Sequence, residues 1–177
     1  MNTAFLIEQC LKGSRKHQRL LYDTHYKMAY NKAYRYLNNV HDTEDAVVTA
    51  FNNVFNNLSR FESKDERSLA NWILTITINA AINMLKSKKR VSFVSENIES
   101  IQEDTDDSYE TENQIKRLQD ILKNMPDGYR VVFIMHVLEG YRHHEIAQFL
   151  NIGVNTSKSQ LSKAKAYIRN QLKKMGA

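Results

Sequence analysis

The sequence is poor in the residues that tight turns, disulfides and membrane spans require. One proline and five glycines in 177 residues argue against a sandwich or barrel of many strands, which needs many turns. The single cysteine, Cys10, has no intrachain disulfide partner, so we expect a reducing cytoplasm. The N-terminus lacks the basic and then apolar pattern of a signal peptide. The longest uncharged stretch, residues 70–85, contains five Asn and Thr residues, and we interpret it as a buried helix rather than a membrane span.

The sequence also lacks the motifs on which most enzymes depend. It contains no paired Cys/His metal ligands, no glycine-rich phosphate loop and no serine elbow. We therefore expect no catalytic residues, no cofactor and no metal ion. The run His143-His144-Glu145 comes nearest to a metal site. Adjacent histidines on a helix point in different directions, so we interpret this run as solvated helix surface.

Charged residues are present in ordinary number but are unevenly distributed. Residues 1–91 carry 14 Lys and Arg against 8 Asp and Glu, and residues 114–177 carry 11 against 4. Between them, residues 92–113 carry 8 acidic residues and no basic ones. Two basic blocks joined by an acidic segment suggest two polyanion-binding domains on a linker. Two solvated basic surfaces and a disordered spacer would give the same pattern.

Residues 92–113 have the composition of a flexible linker. They are rich in Ser, Thr, Asp and Glu, and their few large apolar residues show no periodicity. Such a segment cannot bury enough surface to offset its ordering entropy. The predicted fold is therefore all-α, with two small helical domains, residues 1–91 and 114–177, joined by an acidic flexible linker.

Apolar residues recur at helical spacing throughout the first domain. One face covers residues 47–58, and the acidic residues ahead of it suit the N-cap and first turn of a helix. A second, more apolar helix covers residues 69–85 and ends in the basic run 86–90, which suits a helix C-terminus or a phosphate. An earlier stripe, residues 20–37, is rich in tyrosines that we predict to belong to the core and its rim.

The second domain has the layout of a helix-turn-helix. Its first helix stops near Pro126, which can open the next helix. Three segments complete the domain, a short helix, a compact turn and a longer basic helix, at residues 143–150, 151–153 and 154–174. In such motifs the second helix enters the major groove of DNA.

The polar face of the last predicted helix carries the side-chain types that contact DNA. Lysines neutralise phosphates, and small polar side chains near a helix N-terminus can approach base edges. A solvated helix surface would look similar, but the short helix and glycine turn that precede it favour DNA binding. The polar residues on this face are Asn155, Lys158, Ser159, Ser162, Lys163 and Lys165.

Both domains contain short motifs that are informative when taken together. The C-terminal motifs are Met125-Pro126, Arg130-Val131-Val132-Phe133, Glu139-Gly140-Tyr141, Glu145-Ile146-Ala147, Leu150-Asn151-Ile152 and residues 156–165 (TSKSQLSKAK). The N-terminal motifs are Asp42-Thr43-Glu44-Asp45-Ala46-Val47 and Asn71-Trp72-Ile73 with Ile76, Asn79 and the basic run 86–90. In the right order and over nearly the whole chain, these motifs resemble those of the extracytoplasmic-function sigma factors, which are specificity subunits of bacterial RNA polymerase. The resemblance implies a cytoplasmic protein that is not an enzyme and that works with core RNA polymerase and promoter DNA.

The resemblance implies that the first acidic helix binds polymerase. The helix around residues 44–58 would dock on the clamp coiled coil of the largest polymerase subunit. The residues implied in this contact are Asp42, Glu44, Asp45, Val48 and Asn52. The family usually has a glutamine and an acidic residue after this motif, where this chain has Thr49 and Ala50.

The following loop and helix would recognise and melt the minus-ten promoter element. A base of the single-stranded non-template strand would be flipped into a pocket formed by the loop, at a cost that stacking and base-edge contacts must offset. The residues implied are Arg60, Phe61, Lys64, Arg67, Trp72, Asn79 and Lys86. Trp72 has a second interpretation, because a lone tryptophan on an apolar helix face is usually core. Thr75 and Ile78 stand where basic residues are common in the family.

The last helix would read the minus-thirty-five element as duplex DNA. The resemblance implies base contacts from Lys158, Ser159 and Ser162, with Asn155 and Thr156 in the same first turns. It implies phosphate contacts from Arg142, Lys163 and Lys165. The chain departs from the family pattern at Gly153, where a serine cap is usual, and at Ser157, where an apolar residue is usual. Glycine is a tolerable N-cap.

The resemblance also implies partners beyond DNA. The acidic linker would follow the basic RNA-exit path of polymerase, although solubility alone is a rival explanation of its charge. Many relatives are held by an anti-sigma factor, so such a partner is a hypothesis for this chain, and direct membrane insertion is not expected. The principal alternative is a stand-alone helix-turn-helix regulator that binds duplex DNA without polymerase. An anti-sigma or adaptor protein would lack the basic recognition helix.

Overall fold

The computed structural model describes residues 2–62, 65–87 and 112–176. Across these ranges the regular elements are helical and no strand occurs, which confirms the predicted all-α class. A 3-10 turn, Leu58–Arg60, and a π-helical segment, Ile134–Leu138, lie between α-helices. In chain order the α-helices are α1 (Thr3–Leu11), α2 (Arg15–Leu37), α3 (Val40–Asn57), α4 (Glu66–Ser87), α5 (Glu112–Lys123), α6 (Asp127–Phe133), α7 (His143–Leu150) and α8 (Val154–Lys174).

The chain forms two compact helical units, residues 1–89 and 90–177. The first contains α1 to α4 and the second contains α5 to α8. Residues 92–111 of the predicted linker lie outside the described residues. The last two residues of that linker belong to α5, which begins at Glu112.

A two-residue turn joins α2 to α3. Asn38 ends α2 in the left-handed conformation with φ of 50°, which asparagine tolerates better than most residues. Asn39 caps α3, because its side-chain oxygen accepts the N–H of Asp42 at 3.0 Å. The expectation that the acidic run supplies the cap is therefore wrong. The helix begins earlier, at Val40, and Asp42 lies in its first turn.

The helix α4 is the apolar centre of the first unit. It packs against both α2 and α3, which confirms the helix predicted there. Among the described residues, the segment from Arg67 to Ser87 is long and apolar enough to cross a membrane by length and composition alone. The buried core helix of a soluble protein meets the same criterion. The large buried residues of α4 are Leu69, Ile73, Ile78, Ile82 and Leu85.

The helix α1 is not predicted by the spacing of apolar residues. Asn2 caps it by accepting the N–H of Ala4 at 2.9 Å, and Leu6, Ile7 and Cys10 are buried. A helix of nine residues offers few repeats of an apolar pattern and is marginal in isolation. Its packing against α2 supplies the stabilisation that its own length does not.

The start of α6 depends on Pro126 and Arg130. Pro126 precedes the first helical residue, where its fixed φ suits a helix start. The Arg130 side chain is buried, and its guanidinium donates to the carbonyl of Met125 at 2.8 Å and to the carboxylate of Asp127. These partners compensate a charge that would otherwise be costly to bury, so Arg130 has a structural role.

The helices α7 and α8 form the predicted helix-turn-helix with the predicted bounds. Asn151 ends α7 in the left-handed conformation with φ of 56°, and Gly153 is the extended N-cap of α8. Within this unit α8 packs against α5, α6 and α7, and its residues Leu161 and Ala164 are buried. The turn therefore fixes which face of α8 remains exposed.

Candidate nucleic-acid interface

The exposed face of α8 carries most of the residues predicted to contact duplex DNA. Asn155, Lys158 and Lys165 are exposed, and Thr156, Ser162 and Lys163 are partly exposed. Lysines at positions 158 and 165 are two helical turns apart and so share one side of the helix. This side can place ammonium groups against a phosphate backbone, with small polar side chains beside them.

Ser159 does not belong to this face. Its side chain is 3% exposed, and its hydroxyl donates to the carbonyl of Thr156 at 2.9 Å. The prediction that Ser159 lies on the DNA-facing side is therefore wrong. The reason is tertiary, because three helices pack against α8 and cover a wider arc than its apolar residues indicate.

Arg142 lies at the N-terminus of α7. It is exposed, and its backbone N–H donates to the Glu145 carboxylate at 2.6 Å. This bond satisfies one of the amides that a helix start leaves unpaired. The exposed Arg142 side chain is compatible with a phosphate contact, which stays a prediction.

The ring of His143 is part of an internal contact between α7 and α8. Its Nδ1 lies 2.9 Å from the hydroxyl oxygen of Ser157, and its ring stacks on that of His136, with centroids 4.4 Å apart and planes inclined by 13°. Burial lowers the pKa of His143, and the charges of His136, Lys158 and Lys165 lower it further. The interpretation of His143 as solvated surface is wrong, because Ser157 and His136 are distant in sequence and only the fold brings them to it.

In the first unit, Phe61 and Trp72 form an aromatic pair. Their ring centroids lie 5.1 Å apart with planes inclined by 36°, and both side chains are partly exposed. Trp72 is therefore neither fully core nor fully solvent-exposed. Arg60 and Arg67 are exposed near this pair in sequence, whereas Lys64 lies outside the described residues.

A polar stripe of four neutral residues and one lysine runs along α4 beside Trp72. Its members recur every three or four residues and are exposed: Asn71, Thr75, Asn79, Asn83 and Lys86. Asn79 and Lys86 were predicted, but Asn71 and Asn83 were not. The four-residue spacing was the signal that could have identified them. Ile78 is buried, so it faces the core rather than this stripe.

A second exposed stripe lies on α3. Asp45, Val48 and Asn52 succeed one another at helical spacing, and Glu44 is exposed beside them. Val48 keeps 53% of its surface exposed. Asp42 is buried, with 4% of its surface exposed, so the prediction that it contacts a partner is wrong. Its place in the first turn of α3 points its side chain inward.

Four tyrosines of α2 form an aromatic stripe beside α3. Successive centroids lie 5.3, 5.8 and 6.2 Å apart from Tyr22 through Tyr26 and Tyr30 to Tyr34, and Tyr22 contacts Phe51 at 4.6 Å. All four are partly buried, in line with the core-and-rim prediction. Burial raises the pKa of Tyr22 and Tyr30, and the Glu44 carboxylate contributes to the rise, so Glu44 lies near this stripe.

In the part of the chain that the structure describes, His, Cys, Asp and Glu side chains do not form a group of three that could hold a metal ion. The exposed surfaces described above are rich in lysine on α8, in asparagine on α4 and in aromatic rings at Phe61 and Trp72. Side chains of these types can contact polyanions, bases and protein helices.

Two family models match the chain, one in each unit. The model described as Sigma-70 region 2 matches residues 21–91. The model described as Sigma-70, region 4 matches residues 115–168. The first match begins within α2 and includes α3 and α4. The second begins within α5, includes α7 and ends within α8.

Relatives of known function match over most of their length. The ECF RNA polymerase sigma factor SigW of Bacillus subtilis is 28% identical, and the match covers 94% of this chain and 95% of that protein. The ECF RNA polymerase sigma-E factor of Haemophilus influenzae is 22% identical over 94% of this chain and 93% of that protein. A solved structure of CnrH in complex with the cytosolic domain of CnrY covers 97% of both chains at 16% identity, with a TM-score of 0.49.

Proposed function

The chain belongs to the extracytoplasmic-function group of the sigma-70 family, and we propose that it directs core RNA polymerase to a specific set of promoters as their sigma factor. The observation that carries this proposal is the order of two matches, region 2 on the first helical unit and region 4 on the second. A sigma factor needs both, because one binds polymerase and opens DNA while the other reads duplex DNA upstream. We propose no catalytic role for the protein and expect it to act in the cytoplasm.

The exposed stripe of α3 is the proposed polymerase contact. Its members Glu44, Asp45, Val48 and Asn52 combine two carboxylates with an exposed valine. An exposed apolar residue with charged neighbours suits a contact between two helices. Docking buries the valine away from water, and the charges favour a partner of complementary charge. Asp42 is left out of this surface because it is buried.

The Phe61–Trp72 pair and the polar stripe of α4 form the proposed minus-ten surface. Partly exposed aromatic rings offer faces on which an unstacked base can stack. The amides of Asn71, Asn79 and Asn83 can hydrogen-bond to base edges without a net charge. Arg60 and Arg67 supply the positive charge beside them, and Lys86 supplies it at the end of α4. Lys64 remains a prediction from the sequence.

The exposed face of α8, with Arg142, is the proposed contact to the minus-thirty-five element. Lys158 lies in the first two turns of α8, where a recognition helix meets base edges. Asn155, Thr156 and Ser162 are the neutral partners in this region, and Lys163 and Lys165 with Arg142 are the proposed phosphate contacts. Ser159 is not part of the proposed surface.

A stand-alone regulator that binds duplex DNA without polymerase is not favoured. Such a protein needs a ligand-binding or phosphorylation domain to control its helix-turn-helix. Here the other unit matches region 2 of the sigma-70 family instead. An anti-sigma factor as partner rests on the family resemblance, and isolation of the protein from native cells with polymerase alone would count against it.

Transcription from a genomic promoter library, with core RNA polymerase and with or without this protein, tests the proposal. We expect discrete start sites that appear only with the protein, and their aligned upstream sequences should contain two conserved elements. Core polymerase alone is the control. Absence of new start sites, together with a shift of duplex DNA by the protein alone, would make the stand-alone regulator the better description.

A further inference from the structure

The contact between His143 and Ser157 joins the two helices of the helix-turn-helix at the point where α8 begins. Ser157 lies in the first turn of α8 and is fully buried, and its hydroxyl oxygen is 2.9 Å from Nδ1 of His143, the first residue of α7. Lys158 follows Ser157 directly and is exposed. The hydrogen bond therefore fixes the backbone one residue before the lysine that faces DNA.

The ring of His136 braces this contact from the π-helical segment. Its plane is nearly parallel to that of His143 at a centroid distance of 4.4 Å. Nδ1 of His136 lies 2.8 Å from the carbonyl oxygen of Tyr141, and a carbonyl only accepts, so this nitrogen carries a hydrogen. The Tyr141 N–H in turn donates to the carbonyl of Met135 at 2.9 Å. The His136 ring is thereby held in place independently of α8.

We propose that His143 and Ser157 are positioning residues for recognition of the upstream promoter element. Their hydrogen bond, braced by His136, sets the first turn of α8 against α7 and so determines where Lys158 meets the DNA. This inference rests on the proposed function of α8. Ser157 stands where the family usually has an apolar residue. A hydrogen bond is directional, whereas an apolar contact is not, so Ser157 can fix the orientation of α8 more closely.

The positioning contact works with a neutral His143. The charged and titratable groups that face it are His136 from the π-helical segment and Lys158 and Lys165 from α8, with Arg142 and His144 on either side in the chain. All of these are cationic or can become so, and the nearby Glu145 carboxylate already accepts the Arg142 N–H. A proton on His143 would therefore be repelled by the recognition helix that the contact holds, and acidification should loosen it.

Promoter discrimination by reconstituted holoenzyme tests this inference. The measured quantity is the ratio of transcripts from a promoter with an intact upstream element to those from the same promoter with that element scrambled, between pH 7.5 and pH 5.5. Both templates share each buffer, so pH effects on polymerase itself cancel in the ratio. The variants are Ser157→Ala, which removes the hydrogen bond, and His143→Asn, whose side-chain amide can replace Nδ1 but does not titrate. His144→Asn is the matched control on an exposed neighbour.

We expect Ser157→Ala to lower the transcript ratio at pH 7.5 by about fivefold, because the loss of one hydrogen bond typically changes an equilibrium by about that factor. His143→Asn should keep most of the ratio. Wild type and His144→Asn should lose discrimination on acidification, whereas His143→Asn should not. Circular dichroism verifies that each variant is folded, and a misfolded Ser157→Ala leaves the comparison of wild type with His143→Asn decisive.

The inference alone would be overturned by a folded Ser157→Ala variant with wild-type discrimination, or by identical pH profiles for wild type and His143→Asn. Stronger discrimination by wild type at low pH would do so as well, because it would mean that a charged His143 serves as a phosphate contact. A wild-type ratio of one at every pH would instead overturn the assignment of α8 as the reader of the upstream element, and this inference with it.

Discussion

The rings of Phe61 and Trp72 lie 5.1 Å apart, although one belongs to the loop before α4 and the other to the second turn of α4. The 3-10 turn at Leu58–Arg60 follows α3 and ends just before Phe61. Leu58 is buried at the start of this turn and anchors it. Both rings of the pair are partly exposed, and we propose that a base from opened DNA stacks on them.

Replacement of Phe61 by alanine is expected to impair promoter opening more than promoter binding. Base stacking on an aromatic side chain contributes about 1–3 kcal/mol, so the equilibrium constant for promoter opening should fall by roughly fivefold to 150-fold. Permanganate reactivity of thymines in the minus-ten element measures opening, and protection of the upstream element measures binding. Equal losses in both assays would show that Phe61 stabilises the fold rather than the opened strand.

Replacement of Lys158 by alanine is expected to weaken use of the upstream element. Because it removes one positive charge from the DNA-facing side of α8, it should also reduce the salt dependence of promoter binding by up to about one unit of slope. Lys174, exposed at the far end of the same helix, is the matched control. Holoenzyme binding to promoter DNA over a range of salt concentrations measures both effects. If Lys158→Ala and Lys174→Ala give the same slopes, the DNA-facing side of α8 is assigned wrongly.

Replacement of Ser159 by alanine is expected to affect stability and not promoter choice. The buried hydroxyl donates one hydrogen bond within α8, and a typical bond of this kind contributes about 0.5–1.5 kcal/mol. Amide hydrogen exchange in α8 should become somewhat faster, while the set of transcription start sites should not change. A changed upstream consensus in this variant would return Ser159 to the DNA-binding surface.

Replacement of Val48 by asparagine is expected to weaken binding to core polymerase without unfolding the first unit. Valine and asparagine have similar helix propensities, but burial of a valine side chain contributes about 1.5–3 kcal/mol, which corresponds to at least tenfold in affinity. Leu11→Asn, at a similarly exposed apolar residue of α1, is the control. Competition with labelled wild-type protein for core polymerase provides the measurement, and equal affinities of the two variants would contradict the proposed α3 contact.

The stability of the second unit is expected to fall on acidification because of His143. Its pKa is lowered in the folded protein, so below about pH 6.5, the ordinary histidine pKa, the unfolded chain binds a proton that the folded chain does not. The free energy of unfolding therefore decreases as the pH falls from there through the folded pKa, and this contribution is fully present above that window.

Hydrogen exchange of the α7 and α8 amides in the full chain measures this effect. Protection should decline with acidification in wild type and less so in His143→Asn, after correction for intrinsic exchange rates. Trp72 is the single tryptophan of the chain and lies in the first unit, so its fluorescence serves as an internal control that should not depend on His143. The same decline in both proteins would assign the pH dependence to other groups.

The helical class, the family and the bounds of the helix-turn-helix could all be predicted from the sequence alone. These properties are local: apolar residues repeat at helical spacing, Asn151 and Gly153 mark the turn, and the motifs are continuous in the chain. The short helix α1 could not be predicted, because nine residues contain too few repeats of the apolar helical pattern. The π-helical segment at Ile134–Leu138 has no comparable signal in composition.

Only the tertiary structure decided which polar side chains remain available to a partner. Ser159 and Asp42 have the residue types of contact residues, but helices packed around them bury both. His143 looks like solvated surface in the sequence, yet the fold places it between His136 and Ser157. The physical reason is that burial and stacking depend on segments far away in the chain, whereas helix formation depends on residues three and four positions apart.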